Sequence, residues 1–148
     1  MFKGLLFSVL VLGSTVFSSV SLAADLVVNV TGVQAYKDNG QVVVFLYKSA
    51  DGFPKSPDRA IKILKSRLQG KSQTQFKIEG LNPGQYGIML IHDNNLNGKL
   101  DTNFFGIPKE GFGTSNNPAL KPRAPTFEEA AFNLQNPERI IEIRMRYL

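Results

Sequence analysis

Apolar residues recur at every second position through several short stretches of this chain, and a period of two predicts strands rather than helices. The pattern is clearest near the C-terminus. In RIIEIRMRY, Ile141, Ile143, Met145 and Tyr147 share one face, with Glu142, Arg144 and Arg146 on the other, which is the pattern of a half-buried strand. QTQFKIEG alternates through Phe76 and Ile78. LVVNVTGV (Leu26 to Val33) and QVVVFLYKS (Gln41 to Ser49) are rich in β-branched and aromatic residues. The KDNG between them (Lys37 to Gly40) ends in Asn39-Gly40 and predicts a hairpin turn. LNPGQYGIMLIH opens on a Pro83-Gly84 turn and continues as an apolar strand. AAFNLQN (Ala130 to Asn136) reads as the partner of the last strand, joined to it through NPE, and IKILKSRL (Ile61 to Leu68) is the weakest of seven strands.

Helix signals are few. Ser56 before Pro57 suits a single turn, and Thr126 with Glu129 three residues on suits a capping box. Seven short strands with so little helix predict an all-β fold, a two-sheet antiparallel β-sandwich of immunoglobulin-like or prealbumin-like type. A membrane barrel would need strands of about ten residues and a lipid-facing apolar band, which this pattern does not provide. One segment breaks the periodicity. Asp93 to Pro125 spans 33 residues with four Gly, four Pro and six Asn, yet keeps Phe104, Phe105, Ile107 and Phe112. Loops longer than about 12–15 residues are uncommon unless they are functional or disordered, and the aromatic content speaks against disorder. The expectation is one long ordered loop, 93–125, packed over one end of the sandwich.

The N-terminus changes the picture of where the domain works. Lys3 precedes an apolar or small-residue run from Gly4 to Val20, and Ser21 and Ala23 stand in small-x-small spacing. This is the form of a secretory signal peptide over 1–23, cleaved after Ala23 or, next best, Ala24; an uncleaved anchor helix is the alternative. A single domain over 24–148 remains, exported to the periplasm or secreted and not membrane-embedded after cleavage. The chain has no cysteine, which excludes a disulfide framework, a thiolate metal site and a lipidated cysteine. Without Lys3 there are sixteen basic and twelve acidic residues, a net charge of about +4 spread from Lys37 to Arg146. Scattered charge of this kind reads as a solvated surface, at most with weak affinity for envelope polyanions. An exported chain with no basic run and no binding motif excludes nucleic acid as a partner.

The densest chemistry is HDNNLNGKLDTN, His92 to Asn103, with two Asp and four Asn in twelve residues. Counting from Asp93, oxygen-bearing residues fall at alternate positions: Asp93, Asn95, Asn97, the carbonyl of Lys99, and Asp101, with Gly98 at the sharp turn. That spacing suits the first half of a calcium loop. The second half fails, because Phe104 stands where a bidentate Glu is needed and a strand precedes the loop instead of a helix. Calcium, if held, is held weakly, at about 10⁻⁴ to 10⁻³ M, since only Asp93 and Asp101 are anionic, with Glu110 and His92 each an additional ligand or a loop contact. The competing reading is a metal-free Asx-rich turn whose side chains bond their own backbone. His92 is the sole histidine; a general base there would need a metal or nucleophile beside it, and a strand-end histidine bonded to the loop is the plainer reading. Phe104, Phe105 and Phe112 are either partner-binding residues or a mini-core of the loop. GIPKEGFGTSNNP (Gly106 to Pro118) has no phosphate-loop or dinucleotide spacing, and its Asn116-Asn117 pair suits ligation or turn capping.

HDNNLNGKLDTNFFGIPKEGFGTSNN followed by APTFEEAAF resembles the signature of a family of small exported bacterial proteins, domain of unknown function 2141. The resemblance extends to VVVFLYKSADGFP (Val42 to Pro54) and LNPGQYGIMLIHD (Leu81 to Asp93), and so to nearly all of the chain after its leader. It departs at Thr114, where an aromatic more often stands, and in a shortened stretch between Asn117 and Pro125. The resemblance implies export and a prealbumin-like sandwich, and it implies no activity. The leading expectation is therefore a non-catalytic, calcium-braced binding module for an envelope protein or glycan. The alternatives are a metal-dependent hydrolase acting at His92, Asp93, Asp101 and Glu110, and a purely structural protein with a metal-free turn.

Overall fold

The structure, a computed structural model, describes residues 22–34, 40–135 and 137–148. Nearly all of the expected signal peptide, the predicted turn up to Asn39 and Asn136 of NPE lie outside the described residues. The elements are β1 (Ala24–Thr31), β2 (Gln41–Tyr47), β3 (Lys62–Arg67), β4 (Thr74–Leu81), β5 (Gly84–Asp93), β6 (Gly111–Thr114), a four-residue helix α1 (Phe127–Ala130), β7 (Phe132–Leu134) and β8 (Glu138–Arg144), with one 3-10 turn at Pro57–Arg59. They form two sheets. One runs β4-β1-β8. The other runs β3-β2-β5, and the far edge of β5 is shared by β7 at its start and β6 at its end. This is the all-β sandwich that the alternation predicts. Among the described residues no helix is long and apolar enough to cross a membrane.

Three expectations about pairing are corrected. β1 and β2 do not form a hairpin: β1 pairs with β4 and β8, while β2 pairs with β3 and β5. Local turn chemistry around Asn39-Gly40 is overruled by the burial of β1 and β2 on facing sheets. β7 does not pair with β8 but with β5. β8 instead lies parallel to β1, in register from Asp25–Glu138 to Thr31–Arg144, so the sandwich is not wholly antiparallel.

The long loop is the fourth correction, because it contains an eighth strand. In β6, Gly111 and Gly113 face the interior and Phe112 faces outward. A side chain at Gly111 would place its Cβ 2.5 Å from the Tyr147 ring, and one at Gly113 would meet the Arg144 carbonyl at 3.0 Å. The two glycines let the chain after β8 approach the backbone of β6. There Phe112 and Arg146 exchange both backbone hydrogen bonds, at 2.9 and 2.8 Å, while Met145 N–H still donates to Thr31 at 2.8 Å. The last strand thus crosses from one sheet to the other and ties one side of the sandwich shut.

β2 and β5 are buried almost throughout, because both of their faces are covered. Val42, Val44, Leu46, Ile88 and Leu90 face the main core between the sheets, with Leu26, Val28, Val30 and Ile143 opposite. Val43, Phe45, Tyr47, Met89 and Ile91 face outward into a second cluster, closed by Phe127 and packed further by Phe53, Ala60, Leu100 and Phe112. From the long loop, Leu100 and Phe112 pack on this sheet face. Thr126 and Glu129 form the predicted capping box at the start of α1, which sets Phe127 onto this face.

Candidate functional site

β5 delivers both candidate groups of the opening motif, and its pleat separates them. Successive strand residues point to opposite faces. His92 pairs with Val42 and Gly111 and turns inward, 1 % exposed, with Nδ1 2.7 Å from the Tyr147 hydroxyl. Asp93 pairs with Gln41 and turns to the outer side, fully buried. His92 therefore does not bond the loop, and it does not converge with Asp93, Asp101 and Glu110 as a hydrolase would need. Two open surface concavities lie elsewhere among the described residues. One is lined by Asn133, Gln135, Glu138 and Arg139, the other by strand residues between Asn29 and Thr31, Gln73 and Gln75, and Glu142.

Gln34 N–H donates to the Tyr147 hydroxyl at 2.9 Å, and the same hydroxyl is hydrogen-bonded to His92 Nδ1. Among the described residues, Nε2 is buried with no hydrogen-bond partner. Burial holds the imidazole below its ordinary value of 6.5, against a smaller opposing pull from Asp93. The folded protein thus resists protonating His92 while the unfolded chain accepts the proton. Stability from this group is complete above about pH 6.5 and falls as the pH drops toward the lowered folded value. Denaturant titrations at several pH values between about 8 and 5 should show the midpoint falling below about 6.5, and His92→Gln should remove that slope.

The loop that follows is a tight knot of side-chain oxygens. Asp93 accepts from Asn97 N–H at 3.0 Å, from Gly98 N–H at 2.9 Å and from Gln41 Nε2 at 2.8 Å. Asn95 Oδ1 also accepts from Asn97 N–H, and Asn97 Oδ1 from Lys99 N–H. The amide groups of Asn95 and Asn97 donate to the two oxygens of Asp101, at 2.6 and 3.0 Å. Gly98 supplies the left-handed turn, with φ of 75°. The four side chains placed at alternate positions by the sequence therefore do come together. Glu110 takes the loop-contact role of the two expected for it. Its carboxylate, 5 % exposed, accepts from Asn94 N–H and Asp101 N–H, both at 2.9 Å, and clamps the two ends of the loop.

Beyond Asp101 the chain makes a narrow excursion. Thr102 bridges to Pro108, Asn103 N–H donates to the Ile107 carbonyl, and Asn103 Oδ1 accepts from Phe105 N–H and Ile107 N–H. At its tip Phe104 is 98 % and Phe105 83 % exposed, their rings edge to face at 5.6 Å. The three phenylalanines thus divide: Phe112 belongs to the second cluster, while Phe104 and Phe105 have no place in a mini-core. Asn116 and Asn117 are structural. Asn116 Nδ2 donates to the Glu129 and Ala131 carbonyls, and Asn117 pairs its amide with the β8 edge at Glu142 and Arg144.

Gln41 and Tyr147 were missed by sequence reasoning. Each acts through a register between distant strands, and neither sits in a motif.

The donor set can be tested against a calcium ion. Asp93, Asn95, Asn97 and Asp101 offer hard oxygens within one turn, which suits the ion, while Asp93 and Glu110 both already accept from N–H donors. Among the described residues, no three His, Cys, Asp or Glu side chains are grouped as a metal site. Two carboxylates and two amides therefore set the upper limit of the side-chain ligand field.

A family model described as an uncharacterized protein conserved in bacteria, domain of unknown function 2141, matches residues 28–142. No curated protein and no solved structure matches the chain.

Proposed function

Because the chain belongs to the bacterial family of domain of unknown function 2141, which brings no activity with it, we propose a function from its own geometry: an exported, non-catalytic binding module. Its long loop is braced at the base by a weakly held calcium ion and presents a recognition tip to a partner of the cell envelope. The observation that carries this reading is the division of labour within one loop. Oxygen-bearing side chains at Asp93, Asn95, Asn97 and Asp101 interlock at its base, while two phenylalanines stand in solvent at its tip. Loops on rigid scaffolds are where recognition concentrates. Export rests on the signal-like N-terminus, and the absence of catalysis on the divergence of His92 from the carboxylates.

In this reading Asp93, Asn95, Asn97, the Lys99 carbonyl and Asp101 hold the ion, which supplies positive charge where the Asn95 and Asn97 amides now meet Asp101. Those amide contacts must give way, so binding is weak. With a dissociation constant of about 0.1 mM and about 1 mM calcium, the ion adds about 1.4 kcal/mol. A thermal melt in about 2 mM calcium should lie about 3–6 °C above one in chelator. Asp101→Asn, which removes a charge with few buried contacts, should abolish the difference. Coincident melts of the unsubstituted protein would leave a metal-free Asx-rich turn.

A further inference from the structure

The tip of the loop has the chemistry of an interfacial anchor. Phe104 and Phe105 are exposed almost completely, and Ile107 and Leu96 are 47 % and 41 % exposed. The two rings alone present about 300 Å² or more of apolar surface. That is the scale of the largest apolar patch on a typical monomer, which is often functional. The geometry is fixed by Asn103, whose single side-chain oxygen holds the Phe105 and Ile107 N–H groups at 2.9 and 3.0 Å. The tip is thus arranged to project apolar side chains, not left exposed by want of order.

Charge supplies the second half of the argument. The exposed Lys99 and Lys109 flank the two legs of the excursion, Lys109 N–H donating to the Asp101 carbonyl. Residues 48–71 carry seven basic and two acidic residues, more than the net charge of the whole domain. β3, which lies in this segment, borders the loop: the Lys65 ammonium is 3.8 Å from where a Cβ on Gly98 would sit. An apolar tip with Lys99 and Lys109 on its legs and Lys65 beside its base fits an interface that is apolar within and anionic at its surface.

We infer that the Phe104-Phe105 tip inserts into the headgroup region of an anionic lipid bilayer, with Lys65, Lys99 and Lys109 facing the lipid phosphates. This rests on the reading of the loop as a presenting arm and names its partner. Nothing in it requires the calcium brace.

The test uses protein recovered from the periplasm of an expressing bacterium, with its N-terminus checked by mass. It is spun with vesicles of phosphatidylglycerol and phosphatidylethanolamine, or of phosphatidylcholine alone. The comparison is Phe104→Ser/Phe105→Ser carrying the same N-terminus, so any contribution of the leader cancels. The expected result is co-sedimentation with the anionic vesicles only, weakened by salt and reduced about tenfold or more in the double variant. The variant's melt should be unchanged. Equal sedimentation of the two proteins, or no sedimentation with either vesicle, would overturn the inference. So would a concentration-dependent dimer lost in the double variant, which would make the tip a contact between copies. Melts with and without calcium on the same samples separate the two claims: phenylalanine-dependent lipid binding without a calcium shift leaves the anchor standing and removes only the brace.

Discussion

Asp93→Ala is expected to lower the unfolding free energy by about 3–5 kcal/mol in a denaturant titration. The carboxylate is fully buried and accepts three hydrogen bonds. Bonds to a charged acceptor contribute about 1.5–3 kcal/mol each. The Asn97 and Gly98 N–H groups lie near the surface and can regain water, so the three losses do not add in full. Gln41 cannot, because its side chain is buried on the outer face beside the cluster. Asp93→Asn keeps one acceptor oxygen but points an amide at a donor, and should cost about half as much. If both variants were as stable as the parent protein, the loop would not be anchored through Asp93 at all.

Phe127→Ala carries the second large effect, about 3–4 kcal/mol. The ring is 7 % exposed and closes the outer cluster over Val43, Phe45, Met89 and Ile91. It also meets Phe53 edge to face at 5.8 Å, and Phe53 in turn meets Tyr47 at 5.2 Å. Its loss opens the outer face of the larger sheet to water and leaves a cavity that a four-residue helix cannot collapse to fill. Phe104→Ala, one residue type and one substitution alike, should change the unfolding free energy by less than about 0.5 kcal/mol, because its ring is already in solvent. The contrast between these two phenylalanines, measured by the same titration, separates the packed cover of the outer sheet face from the presenting tip of the loop.

Much of this arrangement is legible from alternation alone. The two faces of β8, the burial of β2 and β5, and the capping box at Thr126 all follow from local pattern, because each is decided within a few residues. Even the separation of His92 from Asp93 is implicit in the sequence once β5 is carried to its end, since adjacent strand residues face opposite ways. What was not legible is decided between distant segments. Asn39-Gly40 is sound turn chemistry, yet β1 finds its neighbours in β4 and β8 because its alternating face belongs to the smaller sheet. β6 is hidden because its inward positions are Gly111 and Gly113, chosen for the close passage of Tyr147 and Arg144, and glycine erases the strand signal. The knot at Asp93, Asn95, Asn97 and Asp101 was legible from its spacing. Its ties to Gln41 and to the Glu110 clamp depend on register and fold-back, which spacing does not encode. The two exposed phenylalanines look, in sequence, the same as the packed one.

Uptake of calcium at the base of the loop decides between a braced arm and a metal-free turn. The most direct measurement is a calcium titration of the isotopically labelled protein followed through its backbone amide resonances. The account predicts saturable shifts confined to Asp93–Asn103, largest at Asn97, Gly98 and Lys99, with a midpoint at about 10⁻⁴ to 10⁻³ M. Amide positions that stay unmoved through about 10 mM calcium would contradict it.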